Sequence, residues 1–315
     1  MLAAKLIGHR KALANPENIR GGVSYGCWRT RRDGRNLLPD RGETLMRIIA
    51  LAAAFAAATI LAGCEQSDAP EDAPAAKTTP AYSARQYSAE IADIARPQAD
   101  RESDEARLPG ELLAFAQIDS GDVVGDYIMG GGYVTRLLAI AVGRGGKVYA
   151  FQPDEFIAFR PEYADEQAEA VAPYADNDGN PVQVVPLNGP VAAPPFPEQL
   201  DTIVTVTNLH DLYSSQMPAD TAAQAIAALY DALKPGGTLV VVDHKAAGGG
   251  GARAADAQHR MDMELARQAL EDAGFVLEEE SDLYARPDDP RDASVFDPAI
   301  RGRTDQFAWR LRKPA

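Results

Sequence analysis

Three histidines lie beside or close to aspartates in the C-terminal part of the chain: His210-Asp211, Asp243-His244, and His259 with Asp262 three residues on. An imidazole whose pKa lies near neutrality can take a proton from an O–H or N–H group. His210, Asp211 and His244 are therefore the candidate catalytic set, with His210 as the general base. The same residue types also ligate metals. The three histidines are far apart in sequence, however, with no short ligand spacing, and no metal is expected. A third use of such residues is to cap strand ends and hydrogen-bond loop backbone.

A second chemistry-bearing stretch lies upstream, at Val123-Val124-Gly125-Asp126-Tyr127-Ile128-Met129-Gly130-Gly131-Gly132-Tyr133-Val134-Thr135. A short apolar run ends in an acid, a glycine cluster and the start of an amphipathic helix. Glycine lets backbone approach a ligand and adopt positive φ. The N–H groups of the following helix then face that ligand. The dinucleotide pattern G-x-G-x-x-G fails at its third glycine, where Thr135 stands, and no G-K-[ST] tripeptide occurs.

The elements needed to position these residues alternate in the manner of an α/β sheet. Residues 146–152, 182–188, 200–208 and 238–244 read as the second to fifth strands after a first at 123–124. Leu233-Lys234-Pro235-Gly236-Gly237 is read as the turn that ends a helix. Residues 266–273 read as a helix closed by Gly274. Phe275 opens a sixth strand, and Phe307-Ala308-Trp309-Arg310-Leu311 alternates like a seventh. Ligands in such sheets bind beyond the carboxyl ends of the strands, which places His210 and His244 near the glycine loop.

Asp126-x-Ile128-x-Gly130-x-Gly132 resembles the acid-x-Gly-x-Gly-x-Gly motif of class I S-adenosyl-L-methionine (SAM) methyltransferases, with Ile128 at the first glycine. The Leu-Lys-Pro-Gly-Gly segment followed by a strand and Asp243 is similar to a feature of the same superfamily. The resemblance covers about Leu112 to Lys313. It implies a Rossmann-like, seven-stranded, mostly parallel α/β sheet with an antiparallel C-terminal strand and helices on both faces. It also implies SAM as cofactor, held by Asp126, Gly130, Gly131, Gly132, Gln152, Asn188 and Asn208. Gln152 stands where a carboxylate usually meets the ribose, and Asn188 where the superfamily often has an acid facing adenine. A narrower set, including Gly130 to Thr135, Asn208 to Tyr213, His259 to Asp262 and Ser294 to Phe307, resembles a bacterial methyltransferase family whose members often carry export signals.

Domain organisation follows from composition. Met46-Arg47 precedes an apolar run that ends in Leu61-Ala62-Gly63-Cys64. A charged start, a short apolar core and a small-residue cleavage site read as an export signal, and Leu-Ala-Gly-Cys resembles the bacterial lipoprotein box. Residues 46–63 are thus expected to be a lipoprotein signal peptide, with Cys64 lipidated and holding the protein at the membrane on the periplasmic side. Residues 1–45 are expected to be a mis-called or disordered basic leader. Residues 64–83, rich in Ala, Pro, Thr and Asp, form a flexible tether, and 84–315 a methyltransferase-like domain.

Removing residues 1–63 takes away ten of the 31 Lys/Arg and four of the 46 Asp/Glu, leaving 21 against 42. So acidic a surface repels nucleic-acid phosphates, and a nucleic-acid partner is not expected. The only cysteines are Cys27 and Cys64, so the mature chain holds no disulfide. The expected substrate is a small molecule or a cell-envelope component. The other reading is a catalytically degenerate lipoprotein that keeps the fold to bind a ligand.

Overall fold

The computed structural model describes residues 82–94, 96–174 and 183–315. The expected leader, signal peptide, lipidated Cys64 and most of the tether lie outside the described residues. Among the described residues, no helix is long and apolar enough to cross a membrane.

Seven strands form one sheet: β1 Val123–Tyr127, β2 Lys147–Pro153, β3 Gln183–Gly189, β4 Leu200–Val206, β5 Leu233–His244, β6 Val276–Ser281 and β7 Gln306–Arg312. Their order is β3-β2-β1-β4-β5-β7-β6. The first five run parallel, and β7 inserts antiparallel between β5 and β6. This is the Rossmann-like α/β architecture the sequence implied. The doubly wound dinucleotide order places its last strand parallel at the sheet edge, so the inserted antiparallel β7 separates this chain from that class.

The helices are α1 Ser88–Ile91, α2 Gln98–Arg107, α3 Pro109–Ala116, α4 Tyr133–Val142, α5 Asp154–Phe159, α6 Glu162–Val171, α7 Thr221–Ala232, α8 Arg253–Gln258 and α9 Met263–Asp272. Strand side chains alternate between faces, and the two faces bury separate clusters. Val124, Val148, Val204 and Val240 pack with Leu113, Leu137 and Leu138 of α3 and α4. Tyr127, Phe151, Ile203 and Val241 pack with Ile226, Leu229 and Leu270 of α7 and α9. The inner parallel strands β1, β2, β4 and β5 are covered on both faces and read in sequence as largely apolar runs.

Two local expectations are corrected. The Leu-Lys-Pro-Gly-Gly segment is not a free turn: helix α7 ends at Ala232, and β5 starts at Leu233, paired with Leu200 across a register shift. The Ala266 helix begins three residues earlier, at Met263, because the Asp262 carboxylate caps it by accepting from the N–H groups of Glu264 and Leu265.

The segment between β6 and β7 is tied to the stretch between α8 and α9 by one fully buried ion pair. Arg260 donates from both terminal nitrogens to Asp289, at 2.8 and 3.0 Å, and its Nε donates to the Ala293 carbonyl at 2.8 Å. Asp289 also accepts the Asp305 and Arg291 N–H groups. Removing one member of such a pair strands the other charge without water. Asp289→Ala should therefore cost about 3–5 kcal/mol in urea unfolding. Glu280→Ala, which breaks the exposed Arg267–Glu280 pair, should cost less than about 1 kcal/mol.

Candidate functional site

The loop after β1 holds three residues in the left-handed region at alternate positions: Ile128 at φ 64°, Gly130 at 53° and Gly132 at 79°. These are the three glycine positions of the motif. Ile128 thus adopts a backbone that glycine takes without strain, which for a β-branched residue is a genuine outlier. Burial holds it there. The side chain is 2% exposed and joins Tyr127 and Phe151 in the core. Its carbonyl accepts a hydrogen bond from Asn208 Nδ2 at 2.9 Å. A Cβ added at Gly132 would lie 2.4 Å from Ala170 Cβ, so α6 packs directly on that residue. Around Gly130 the corresponding space is open.

The loop borders a cleft of about 300 Å³ between the ends of β1 and β4, lined by Asp126, Met129, Gly130, Gly131, Tyr133 and Asn208. This volume is at the lower end of the range for small-molecule sites. Helix α4 starts at the cleft with no side-chain cap, leaving first-turn N–H groups for a ligand. Helix α2 closes the other side. Arg136 donates to both Asp100 oxygens at 2.6 and 2.8 Å. Asp104 accepts from Tyr133 Oη at 2.8 Å and from both Arg96 terminal nitrogens. The Arg107 guanidinium lies 4.5 Å over the Tyr133 ring.

Three expected cofactor residues turn out to hold the loop. Gln152 Oε1 accepts the Gly130 N–H at 3.0 Å. Asn188 Nδ2 donates to the Gln152 carbonyl and to Gln167 Oε1. Asn208 ties the end of β4 to Ile128, as described. One polar atom of this set, Gln152 Nε2, is buried without a partner. Asp126 lines the cleft and accepts the Thr135 hydroxyl at 2.6 Å. Burial pushes its carboxyl up to about 6, against the Thr135 hydrogen bonds.

The histidines occupy the ends of β4 and β5. Asp243, fully buried at the end of β5, accepts His210 Nδ1 at 2.8 Å, the His210 N–H at 2.8 Å and the His244 N–H at 2.7 Å. Burial of His210 disfavours its charge, but Asp243 and, further off, Asp211 outweigh that and raise its pKa to about 9. The ring is thus a proton donor at neutral pH. The expected acceptor role would open only as pH rises toward 9. Burial raises the Asp211 carboxyl. His244 Nδ1 lies 2.8 Å from the Thr304 hydroxyl, and burial depresses the His244 pKa to about 4 despite the pull of Asp243. His259 is the C-cap of α8, at φ 51° rather than at a helix start. Its Nδ1 lies 3.8 Å from Asp211 Oδ1, while His210 Nε2 lies 3.5 Å from the same oxygen. The fold thus joins His210, Asp211 and His259, leaves His244 against Thr304, and assigns Asp262 to helix capping. Asp243, noted in the sequence only as the neighbour of His244, is the residue that orients His210.

No family model and no curated protein sequence matches the chain. Among solved structures it is similar to a SAM-dependent methyltransferase from Aquifex aeolicus, at 20% identity over 69% of this chain and 98% of that one, with TM-score 0.46. It is also similar to a putative methyltransferase from Bacillus halodurans, at 20% identity over 66% and 99%, with TM-score 0.45. The N-methyltransferase NodS from Bradyrhizobium japonicum shares 15% identity over 67% and 97%, with TM-score 0.44. The fold itself is read from the strand order, a Rossmann-like α/β sheet with β7 antiparallel between β5 and β6. Within that fold, the Asn208–Ile128 and His210–Asp243 contacts join the end of β4 to its neighbour on each side.

Two outcomes test this geometry. Glycine usually costs more than alanine in ordered structure. At Ile128 the order should invert, with Ile128→Gly more stable than Ile128→Ala by about 1 kcal/mol, because alanine keeps the left-handed strain. Urea unfolding of the two variants measures this. His244 is neutral in the fold, with a pKa below its unfolded value. Its contribution is therefore present above pH 6.5 and lost as pH falls toward 4. Relative to His244→Asn, the wild type should lose on the order of 2 kcal/mol across that window. A difference that does not change with pH would show that the ring is not held neutral.

Proposed function

We propose that the chain binds SAM at the glycine loop and transfers its methyl group to a small molecule or a cell-envelope component. The observation that carries this reading is the loop backbone. Left-handed backbone at 128, 130 and 132 falls on the three glycine positions of the acid-x-Gly-x-Gly-x-Gly pattern, although Ile128 replaces the first glycine. The same loop opens on a cleft headed by the uncapped end of α4. Methyl transfer from a sulfonium depends mainly on in-line positioning, which this frame can supply without a strong base. Asp126 and the first turn of α4 would meet the cofactor, and an acceptor would enter beyond β4 and β5. Export and lipidation at Cys64 would place this activity at the periplasmic face of a membrane.

A second reading is supported by particular contacts. Gln152 and Asn188 spend hydrogen bonds within the protein, and Ile128 stands in a glycine position. These favour a ligand-binding module that has kept the fold and lost the transfer.

Calorimetry on the full-length chain with SAM and S-adenosylhomocysteine separates the two. Micromolar binding is expected, weakened at least tenfold by Gly130→Val. The added side chain starts in open space but at φ 53° strains the loop, so a circular dichroism melt of the variant confirms that the domain is still folded. A folded wild type that binds neither compound sinks the transfer reading and leaves the binding module.

A further inference from the structure

We infer that His210, Asp211 and His259 form a binding site for a divalent first-row cation of the zinc class. One ligand atom from each residue falls within 4.8 Å of the others. His210 Nε2 and His259 Nδ1 lie 3.5 and 3.8 Å from Asp211 Oδ1. These separations are too long for good hydrogen bonds. They are close to those a cation imposes, since metal–ligand bonds of about 2.0–2.2 Å put tetrahedral ligand atoms roughly 3.3 Å apart. The three groups thus face one another across a gap instead of bonding one another.

Three further observations point the same way. First, Asp243 takes the Nδ1 side of His210 at 2.8 Å. With Nδ1–H held by Asp243, a cation that displaces the Nε2 proton meets a lone pair on the nitrogen that faces Asp211. A buried carboxylate that orients a ligating imidazole from behind is the usual support of a metal-bound histidine. Second, the charges suit a cation. The groups acting on Asp211 are His210, Asp243 and His259, so two carboxylates face two imidazoles. Third, the site is held together and yet open. Asp256 of α8 accepts from Ser215 N–H and Ser214 Oγ, which pins the helix carrying His259 to the turn carrying His210 and Asp211. The Asp211 and His259 side chains are 27% and 42% exposed, and the Phe296 ring packs edge-on against His259 at 4.8 Å. Three protein ligands beside solvent leave a position for water or for an oxygen of a bound small molecule. The long separation of these residues in sequence is why their spacing gave no sign of a metal.

The test uses the full-length protein freed of metal with a chelator, without SAM, so its result is independent of cofactor binding. Zinc is titrated by calorimetry, and cobalt(II) is added as a visible-absorption probe. One equivalent of zinc should bind with micromolar or tighter affinity, and cobalt should give the visible bands of a low-coordinate nitrogen–oxygen site. His259→Ala and Asp211→Asn should each weaken binding at least tenfold and remove those bands. His259 is partly exposed, so its variant is expected to fold. If Asp211→Asn does not fold by circular dichroism, His259→Ala alone decides. Absence of saturable binding in the wild type overturns the inference. So does binding that His259→Ala leaves unchanged, because the ion would then sit elsewhere.

Discussion

The end of β5 depends on one buried carboxylate. Asp243 has no access to water, and burial by itself raises the pKa of such a group. The His210 ring reverses that and holds the carboxyl below its usual range. In return the carboxylate accepts one ring nitrogen and two backbone N–H groups. A charge in this position is tolerable only when it is paired and hydrogen-bonded. The requirement fixes the start of the turn after β4, the direction of the His210 ring and the backbone of His244 together. Asp211 and His259 then meet the far side of a ring whose orientation is already decided.

The glycine loop rests on a similar exchange of local cost against packing. Ile128 adopts a conformation that a side chain resists, and core burial with the Asn208 hydrogen bond offsets the strain. Gln152 and Asn188 brace the loop from the β2 and β3 side, and α6 packs on Gly132. The part of the loop left open is Gly130 and Gly131, beside the uncapped start of α4. Over it lies α2, held by the Arg136–Asp100 and Arg96–Asp104 pairs. Helix α2 is polar over most of its length, and its main buried residue is Asp100. Ion pairs rather than apolar packing therefore close the cleft.

Much of the fold was legible because parallel strands covered on both faces are apolar runs of a length that turns and glycines delimit. All seven strands fall within a few residues of their expected places, and only the Leu-Lys-Pro-Gly-Gly segment changed its role. A Pro-Gly-Gly run carries the local signal of a turn, and only the partner strand shows that Leu233 is already paired with Leu200. The segment between β6 and β7 is fixed by the buried Arg260–Asp289 pair and by the Asp305 N–H on Asp289, contacts between residues too far apart in sequence for any local pattern to show.

The amino-acid order by itself determined the α/β layering, the place of the glycine loop and the residue types at the strand ends, because each depends on local periodicity and backbone preference. Only the tertiary structure decided which of those residues meet. Whether Gln152 faces a ligand or the loop depends on where Gly130 lies in space. Whether His259 joins His210 or Asp262 depends on how α8 sits on the turn after β4. Hydrogen-bond partners within about 3 Å are chosen by long-range packing, and no spacing along the chain encodes that choice.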